Sequence, residues 1–509
     1  MMLLRCLALV TFCAAGLHAA PPAPAPAPTS NIKAGFAERD ITPALGMEQP
    51  GGYGKSFHRT FHDPCKVRAA VFDDGKKRVA LVGTDTLIIP RKVVLDAREL
   101  IAKQCGITPD SVMIGASHSH SSGPVGMIQP GELDHASPLV QKLGYEESSM
   151  ADAGFLLTVT KAIVDAVVWA DKTKQPASLG FGKGHEDKVS FNRRMKMKNG
   201  LAYSHPGPGN PDIVDYAGPI DPEVGVIAAW DINTGALLGC VVNFACHATT
   251  NPGGISANWV QYLEQTIQGA FQTRVPVVFL QGACGDITQV DNMSQYQRPG
   301  PEEWSKLVGG RVGAEAVKVI LSMPKTTDAT LDAKQKVFPI KRRIPSAERL
   351  KKSMDLVTQP KPAGDTTDWL FAKEIVMLDA LVKKEPACEV EVQAIQVGPV
   401  VCVSNPAEYF VANGLRIKKD SGFPMTFPTE LANGCTGYVP TEEAFGPNGG
   451  GYETRLTYYS NLEVTAGTQM ADAGIELSKQ LKPDPMPEPP KIGRFGRAWT
   501  YGAVPPEVE

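Results

Sequence analysis

Short apolar runs alternate with longer amphipathic segments along most of the chain. The short runs are bounded by turn-forming residues and predict buried strands at 78–83, 111–116, 226–230, 238–245 and 275–281. Segments in which apolar residues recur every third or fourth position predict helices at 92–104, 151–170, 260–271 and 302–321. Strands separated by helices of this length indicate an α/β fold, with a mixed or largely parallel central sheet flanked by helices.

The same alternation continues into the C-terminal half. Residues 345–384 have helical periodicity with a break at 359–366, and 390–397 with 400–403 predict a hairpin that turns at Gly398 and Pro399. From residue 482 the chain becomes rich in proline. We therefore expect one large catalytic domain at 31–481 and a C-terminal tail at 482–509.

The first thirty residues have a composition of their own. Residues 1–20 contain Arg5, an apolar run and then small residues, which is the layout of a secretory signal peptide. Residues 21–30 are rich in proline and alanine and predict an extended spacer. We expect a secreted or periplasmic protein. No later stretch is judged long and apolar enough to cross a bilayer, so no transmembrane segment is expected.

Composition excludes some partners. The formal net charge is −3, which argues against the strongly basic surface that nucleic-acid binding needs. With 43% hydrophobic and 21% charged residues, the chain is typical of a soluble protein with a sizeable core. The ten cysteines show no CxxC spacing, which argues against a structural zinc of the zinc-finger kind. Neither their pairing nor the oligomeric state follows from the sequence.

The segment GASHSHSSGP at 115–124 directly follows a predicted strand. It places His118 and His120 at a strand end, where open α/β sheets bind ligands. Imidazoles two residues apart on an extended backbone point the same way, and neutral imidazole is a common zinc ligand. Two of the nine histidines within three residues favour a site over a chance polar loop.

Further chemistry-bearing residues follow other apolar runs. One strand end carries His247 in VVNFACHAT, although a single histidine there is equally often a buried core residue. Another carries Thr288 in GACGDIT, and the later segments SNPAE, LANGCTGYVPT and GGYE contain Glu408, Tyr438 and Tyr452. Taken singly, each of these is weak evidence for a site.

Together and in this order, the segments resemble the catalytic domain of the neutral ceramidases. The opening AGFAERDITP at 34–43, Gly52-Tyr53 and the stretch 62–68 are similar to the start of that family. HSHSSGP is similar to its HTHSGPGG signature, GACGDIT to a pattern ending in GDVSP, and PAEYFVANGLR to PGEFTTMAGRR. The segments FACHAT and LANGCTGYVPT match its second-histidine and terminal-tyrosine patterns. The resemblance spans roughly residues 32–480.

The resemblance implies one zinc ion per chain, bound by four residues: His118, His247, Glu408 and Tyr438. Such a set leaves an open position for water, the arrangement of a catalytic zinc. It implies that His120 orients substrate or moves a proton, and that Tyr452 and Arg193 hold the carbonyl oxygen, with Arg194 as the alternative arginine.

Two departures from the family pattern bear on the reaction. Thr288 stands where the family has its active-site serine, which leaves open whether this hydroxyl or zinc-activated water attacks the substrate. The family's immunoglobulin-like C-terminal domain is also expected to be absent. The resemblance implies hydrolysis of an amide in an N-acylated small molecule or lipid, with a ceramide-like lipid as one candidate substrate and esters or non-lipid amides as alternatives.

Three other classes of protein compete with this interpretation. A TIM-barrel amidohydrolase also uses HxH but needs further histidines and a late aspartate at strand ends. A metallo-β-lactamase-like site needs an aspartate where Ser122 stands. A catalytically inactive binding protein on the same scaffold has no chemical need for Glu408 and Tyr438 beside the histidines.

Overall fold

The computed structural model describes residues 29–493, 496, 499–502 and 504–509. The predicted signal peptide and all but the last two residues of the spacer lie outside the described residues. Within them, the helices are α1 (Arg91–Cys105), α2 (Pro138–Tyr145), α3 (Ala153–Thr173), α4 (Trp259–Phe271), α5 (Pro301–Ser322), α6 (Ala347–Val357), α7 (Thr367–Lys384), α8 (Val411–Asp420) and α9 (Ala466–Lys479). Every helix predicted from periodicity is present.

The strands of the first half of the described chain are β1 (Lys33–Asp40), β2 (Lys66–Asp73), β3 (Arg78–Thr84), β4 (Val112–Ala116), β5 (Gln175–His185), β6 (Phe191–Asn192), β7 (Arg194–Met197), β8 (Ala202–Ser204), β9 (Ile213–Tyr216), β10 (Glu223–Asp231) and β11 (Leu237–Phe244). The later strands are β12 (Val277–Gln281), β13 (Ile287–Thr288), β14 (Lys325–Thr326), β15 (Leu331–Lys341), β16 (Ala387–Val397), β17 (Val400–Asn405), β18 (Glu408–Tyr409), β19 (Met425–Glu430) and β20 (Tyr438–Val439).

The largest sheet has the order β12-β11-β10-β5-β1-β2-β3-β4, with β14 beside β5. Its two halves, β12 to β5 and β1 to β4, are joined by only two residue pairs between β1 and β5. The two halves stack face to face, because a Cβ at Gly83 of β3 would lie 2.4 Å from the Phe279 carbonyl oxygen of β12. The pairs β3–β4 and β11–β12 are parallel and the other pairs of the path antiparallel, so the predicted α/β fold is confirmed with a mixed sheet.

Helices cover the outer faces of both halves. Helices α1 and α3 enclose one apolar core with β1 to β4, and α4 and α5 enclose another with β10 to β12. A third core lies between the stacked halves and extends to a second sheet of order β15-β16-β17-β19, which α8 and α9 cover on its far side. This layered packing brings the ends of β4, β11 and β17 towards one region.

Helix α3 corrects one prediction. By length and composition it is the single helix of the described chain that is apolar enough to cross a membrane, so the expectation that no such stretch exists is wrong. Half of its most apolar window is buried inside the protein. Val159, Ile163 and Val167 pack into the core beneath it, because this helix serves as a wall of the first half-sheet.

Candidate metal and active site

The loops that follow β4 and β11 run side by side. Ser119 and Ala248 form a parallel bridge, and the His120 backbone N–H donates to the Ala248 carbonyl at 3.1 Å. Between β4 and this bridge, His118 has a backbone φ of 62°. That left-handed conformation costs a non-glycine residue about 1–2 kcal/mol, and such strain persists only where the surroundings impose it.

Backbone carbonyls set the tautomers of two histidines. His118 Nδ1 lies 2.8 Å from the Leu87 carbonyl oxygen and His247 Nδ1 lies 2.7 Å from that of Cys284. Since each carbonyl needs a hydrogen from Nδ1, each Nε2 of the neutral ring carries a lone pair. These Nε2 atoms lie 3.3 and 3.1 Å from the same Glu408 Oε2 atom.

His120 completes a group of three imidazoles. Its Nε2 lies 3.2 Å from His118 Nε2, and ring nitrogens of His118, His120 and His247 lie within 4.8 Å of one another. These three residues can hold a metal ion. His120 was predicted to act beside the metal, and the structure places it close enough to be a further ligand.

The pairing of its strand and the carboxylate of Glu430 position Glu408. It begins β18, which pairs in parallel with β20 so that Glu408 stands opposite Tyr438. The buried Glu430 accepts hydrogen bonds from the backbone N–H groups of Cys284 at 2.7 Å and Tyr409 at 3.0 Å. Glu430 thus holds both the chain segment whose carbonyl orients His247 and the residue next to Glu408.

Burial and neighbouring charges shift the pKa values of these side chains. Burial opposes the charge on Glu408, but His118 and His247 hold the pKa of its carboxyl well below the usual range. Burial and the neighbouring Arg193 lower the pKa of His247 to about 3, and burial with the other imidazoles lowers that of His120. Burial also disfavours a charged His118, yet Glu408 raises its pKa. An ionised carboxylate among mostly neutral imidazoles is the protonation state that metal binding requires.

Arg193 is buried against this group. Its guanidinium donates to Glu453 Oε1 at 2.8 Å, to the Gly285 carbonyl at 2.8 Å, and to His247 Nε2 at 3.2 Å. Arg194 instead donates to the Gly450 carbonyl and does not line the cavity. The structure therefore places Arg193 and not Arg194 at the cavity, and its role toward a carbonyl oxygen stays a prediction.

Two tyrosines accompany Arg193. The Tyr438 hydroxyl accepts from Arg193 Nη2 at 3.1 Å and lies 2.8 Å from the Tyr452 hydroxyl. Burial and the charge of Glu408 raise the pKa of Tyr438 well above the usual range, which favours the neutral phenol. Its assignment as a metal ligand stays a prediction, as do those of His118, His247 and Glu408.

All eight residues predicted for the site line one cavity of about 330 Å³: His118, His120, Arg193, His247, Thr288, Glu408, Tyr438 and Tyr452. The further lining residues, none of which was assigned a role from sequence, include Gly51, Tyr53, His205, Thr249 and Gln289. Gly51 has a φ of 109°, and a Cβ there would lie 2.3 Å from His120 Nδ1. The segments quoted for the family resemblance offered a signal for Tyr53, which belongs to the Gly52-Tyr53 pair, for Gly51 beside that pair, and for Thr249, which ends FACHAT.

Comparison with known proteins gives a consistent picture. No protein-family model matches the chain. The neutral ceramidase of Pseudomonas aeruginosa is 23% identical over 90% of this chain and 74% of its own length. Neutral ceramidase B of Dictyostelium discoideum is 27% identical over 43% of this chain and 29% of its own length.

Solved structures agree at the level of the fold. The crystal structure of the Pseudomonas aeruginosa neutral ceramidase superposes with a TM-score of 0.64 and 19% identity, over 91% of this chain and 77% of that one. A structure described as ceramidase complexed with C2 gives 0.65 and 19%, over 91% and 78%. In sequence over nine-tenths of its length and in fold, the chain is similar to the neutral ceramidase family, and the resemblance inferred from its motifs is confirmed.

Proposed function

We propose that the protein is an extracytoplasmic zinc hydrolase that cleaves the amide bond of an N-acylated substrate. The observation that carries the proposal is the convergence of two imidazole lone pairs on one carboxylate oxygen, in a cavity that also contains a buried arginine. A site outside the cytoplasm is supported by the signal-peptide pattern at 1–20 alone.

The donor set fits zinc. Two imidazoles oriented by backbone carbonyls and an ionised carboxylate form a common set for catalytic zinc. His118, His247, Glu408 and Tyr438 would hold the ion, with His120 as the alternative to the phenol. A zinc ion supplies Lewis-acid chemistry and a water of lowered pKa.

The chain's own residues account for charge and proton movement. Arg193 is fixed by Glu453 and donates from a buried position, so its charge is available to the oxygen of the scissile carbonyl without reorganisation. The Tyr452 hydroxyl, 2.8 Å from that of Tyr438, is the second donor at this position. With Tyr438 as the ligand, His120, held neutral by burial, is the imidazole that accepts and returns a proton.

A second cavity supports an acyl lipid as substrate. It has a volume of about 550 Å³ and shares Met127 and Tyr459 with the catalytic cavity as common walls. Its lining includes a group of aliphatic side chains: Ile88, Val93, Leu156, Leu157 and Leu381. We assign this space to the acyl chain, and the names of the similar proteins make a ceramide-like lipid the first substrate to test.

Metal content tests the core of the proposal. We expect elemental analysis to find about one tightly bound zinc ion per wild-type chain, because a catalytic site of this kind holds a single ion. His118→Ala and Glu408→Ala should each abolish the bound zinc. His185→Ala, which removes a histidine whose side chain is 67% exposed, should retain it. Zinc absent from the wild type, or unchanged in both site variants, would overturn the metal assignment.

A substrate series tests the reaction. We expect wild-type protein to hydrolyse N-acyl amides, with kcat/KM rising by up to about fourfold per methylene as the acyl chain lengthens, from about 0.8 kcal/mol per buried CH₂. If kcat/KM does not change with the length of the acyl chain, the second cavity is excluded as the acyl site. Zinc binding without turnover of any amide or ester would instead support the binding-protein alternative.

A further inference from the structure

Gln289 forms part of the cavity wall directly after β13. Its side chain is 5% exposed, and its carboxamide oxygen accepts hydrogen bonds from Thr249 Oγ1 at 2.9 Å and Thr288 Oγ1 at 3.0 Å. The hydroxyl of the preceding residue in β13 and that of Thr249 in the loop after β11 therefore hold this side chain in place. A buried side chain clamped in this way keeps one orientation relative to whatever enters the cavity.

The other end of the amide is unused. Gln289 Nε2 carries two N–H donors, and neither has a hydrogen-bond partner within the described part of the chain. The atom is also not enclosed by protein, because Gln289 lines the cavity and Nε2 is absent from the fully buried unpaired polar atoms of the described residues. A mostly buried polar group without a partner is costly, so a bound molecule that supplies an acceptor gains from this donor.

The walls of the cavity differ in character. Met127 and Tyr459 line both cavities, whereas the polar residues Thr249, Thr288 and Gln289 line only the catalytic cavity. If the acyl chain lies in the second cavity, which is part of the proposed function, the polar wall faces the amine portion of the substrate.

From these contacts we infer that Gln289, clamped by Thr249 and Thr288, is a specificity-determining residue that binds a hydroxyl group on the amine portion of the substrate.

A matched pair of substrates tests the subsite. N-acylethanolamine and N-acylpropylamine with the same acyl chain differ only in a hydroxyl replaced by a methyl group. We expect wild-type kcat/KM to favour the ethanolamide by about two- to tenfold, the usual net value of one hydrogen bond, through a lower KM. In Gln289→Met, which keeps the side-chain length, this ratio should fall to about one.

The ratio separates binding from indirect effects. Loss of the Thr288 clamp in Gln289→Met alters the rates of both amides alike and cancels in the ratio. Gln480→Met, the same change at an exposed position after α9, should retain the wild-type ratio. Equal ratios in wild type and Gln289→Met would overturn the inference. Absence of turnover on both amides would overturn the proposed function alone, and the subsite would then be read from the ratio of their dissociation constants.

Discussion

The hydroxyl of Thr288 illustrates how a partner limits a residue's chemistry. A nucleophilic hydroxyl needs a neighbouring base to take its proton. Thr288 Oγ1 donates to the carboxamide oxygen of Gln289, and no imidazole or carboxylate of the described residues accepts from it. An amide oxygen is a very weak base. The contact therefore favours a binding role for Thr288.

We expect Thr288→Val, which removes the hydroxyl and keeps the shape, to lower kcat/KM by about tenfold or less, the value of one hydrogen bond. Thr288→Ser retains the hydroxyl and should stay within about twofold of the wild type. Steady-state kinetics on one N-acyl amide measure both. A loss of a thousandfold or more in the valine variant would show instead that the hydroxyl attacks the substrate.

At the scale of elements, short strands outside the main sheet position the site, and they depend on close backbone contacts. Strand β20 begins at Tyr438, directly after Gly437, whose φ is 81°. A Cβ at Gly437 would lie 1.5 Å from the Tyr459 carbonyl oxygen. The chain before β20 can follow this path only without a side chain.

Gly437→Ala should therefore lower the free energy of unfolding by more than about 2 kcal/mol, since the backbone must move as well as adopt a left-handed conformation. Gly235→Ala is the matched control: φ is 72°, and nothing lies within 4 Å of its added Cβ. It should cost only about 1 kcal/mol, the conformational preference alone. Urea unfolding curves of both variants measure the difference, and equal losses would contradict the role of the close contact.

Across the whole molecule, buried ion pairs join the layers. Arg98 of α1, which packs on the first sheet, donates to Glu391 of β16 in the second sheet at 2.8 and 3.1 Å. Arg91 contacts the same carboxylate. Both side chains of the Arg98–Glu391 pair are 2% exposed, so removal of the carboxylate would leave a buried arginine unpaired.

We expect Glu391→Ala to destabilise the protein by about 3–5 kcal/mol, the cost of a buried charge that loses its partner. Glu389→Ala lies two residues away on the same strand, pairs with Arg91 at 3.9 Å and is 68% exposed, so it should cost less than about 1 kcal/mol. Thermal and urea unfolding followed by circular dichroism would measure both. A Glu391 variant as stable as the Glu389 variant would show that the pair does not hold the sheets together.

Periodicity alone identified the strands and helices that bury a continuous apolar face. Strands β3, β4, β11 and β12 and helices α1, α3, α4 and α5 lie within about two or three residues of their predicted bounds. It missed β5, in which Gly180, Gly182 and Gly184 interrupt the apolar run. A Cβ at these positions would meet Met323, Val319 and Glu315 of the region around α5, so helix packing decided those residues. Strand β15 was missed because its charged residues and Pro339 leave no continuous apolar run.

The sequence by itself determined the fold class and, through the spaced motifs of the family resemblance, eight of the residues that line the candidate cavity, because motifs are visible without knowledge of contacts. The tertiary structure alone decided which atoms meet. It distinguished Arg193 from Arg194, brought His120 within ligand distance, and revealed Glu430 and Gln289, whose partners lie 146 and 40 residues away along the chain. Such hydrogen bonds depend on how layers stack and loops pair, and a linear pattern carries no record of that geometry.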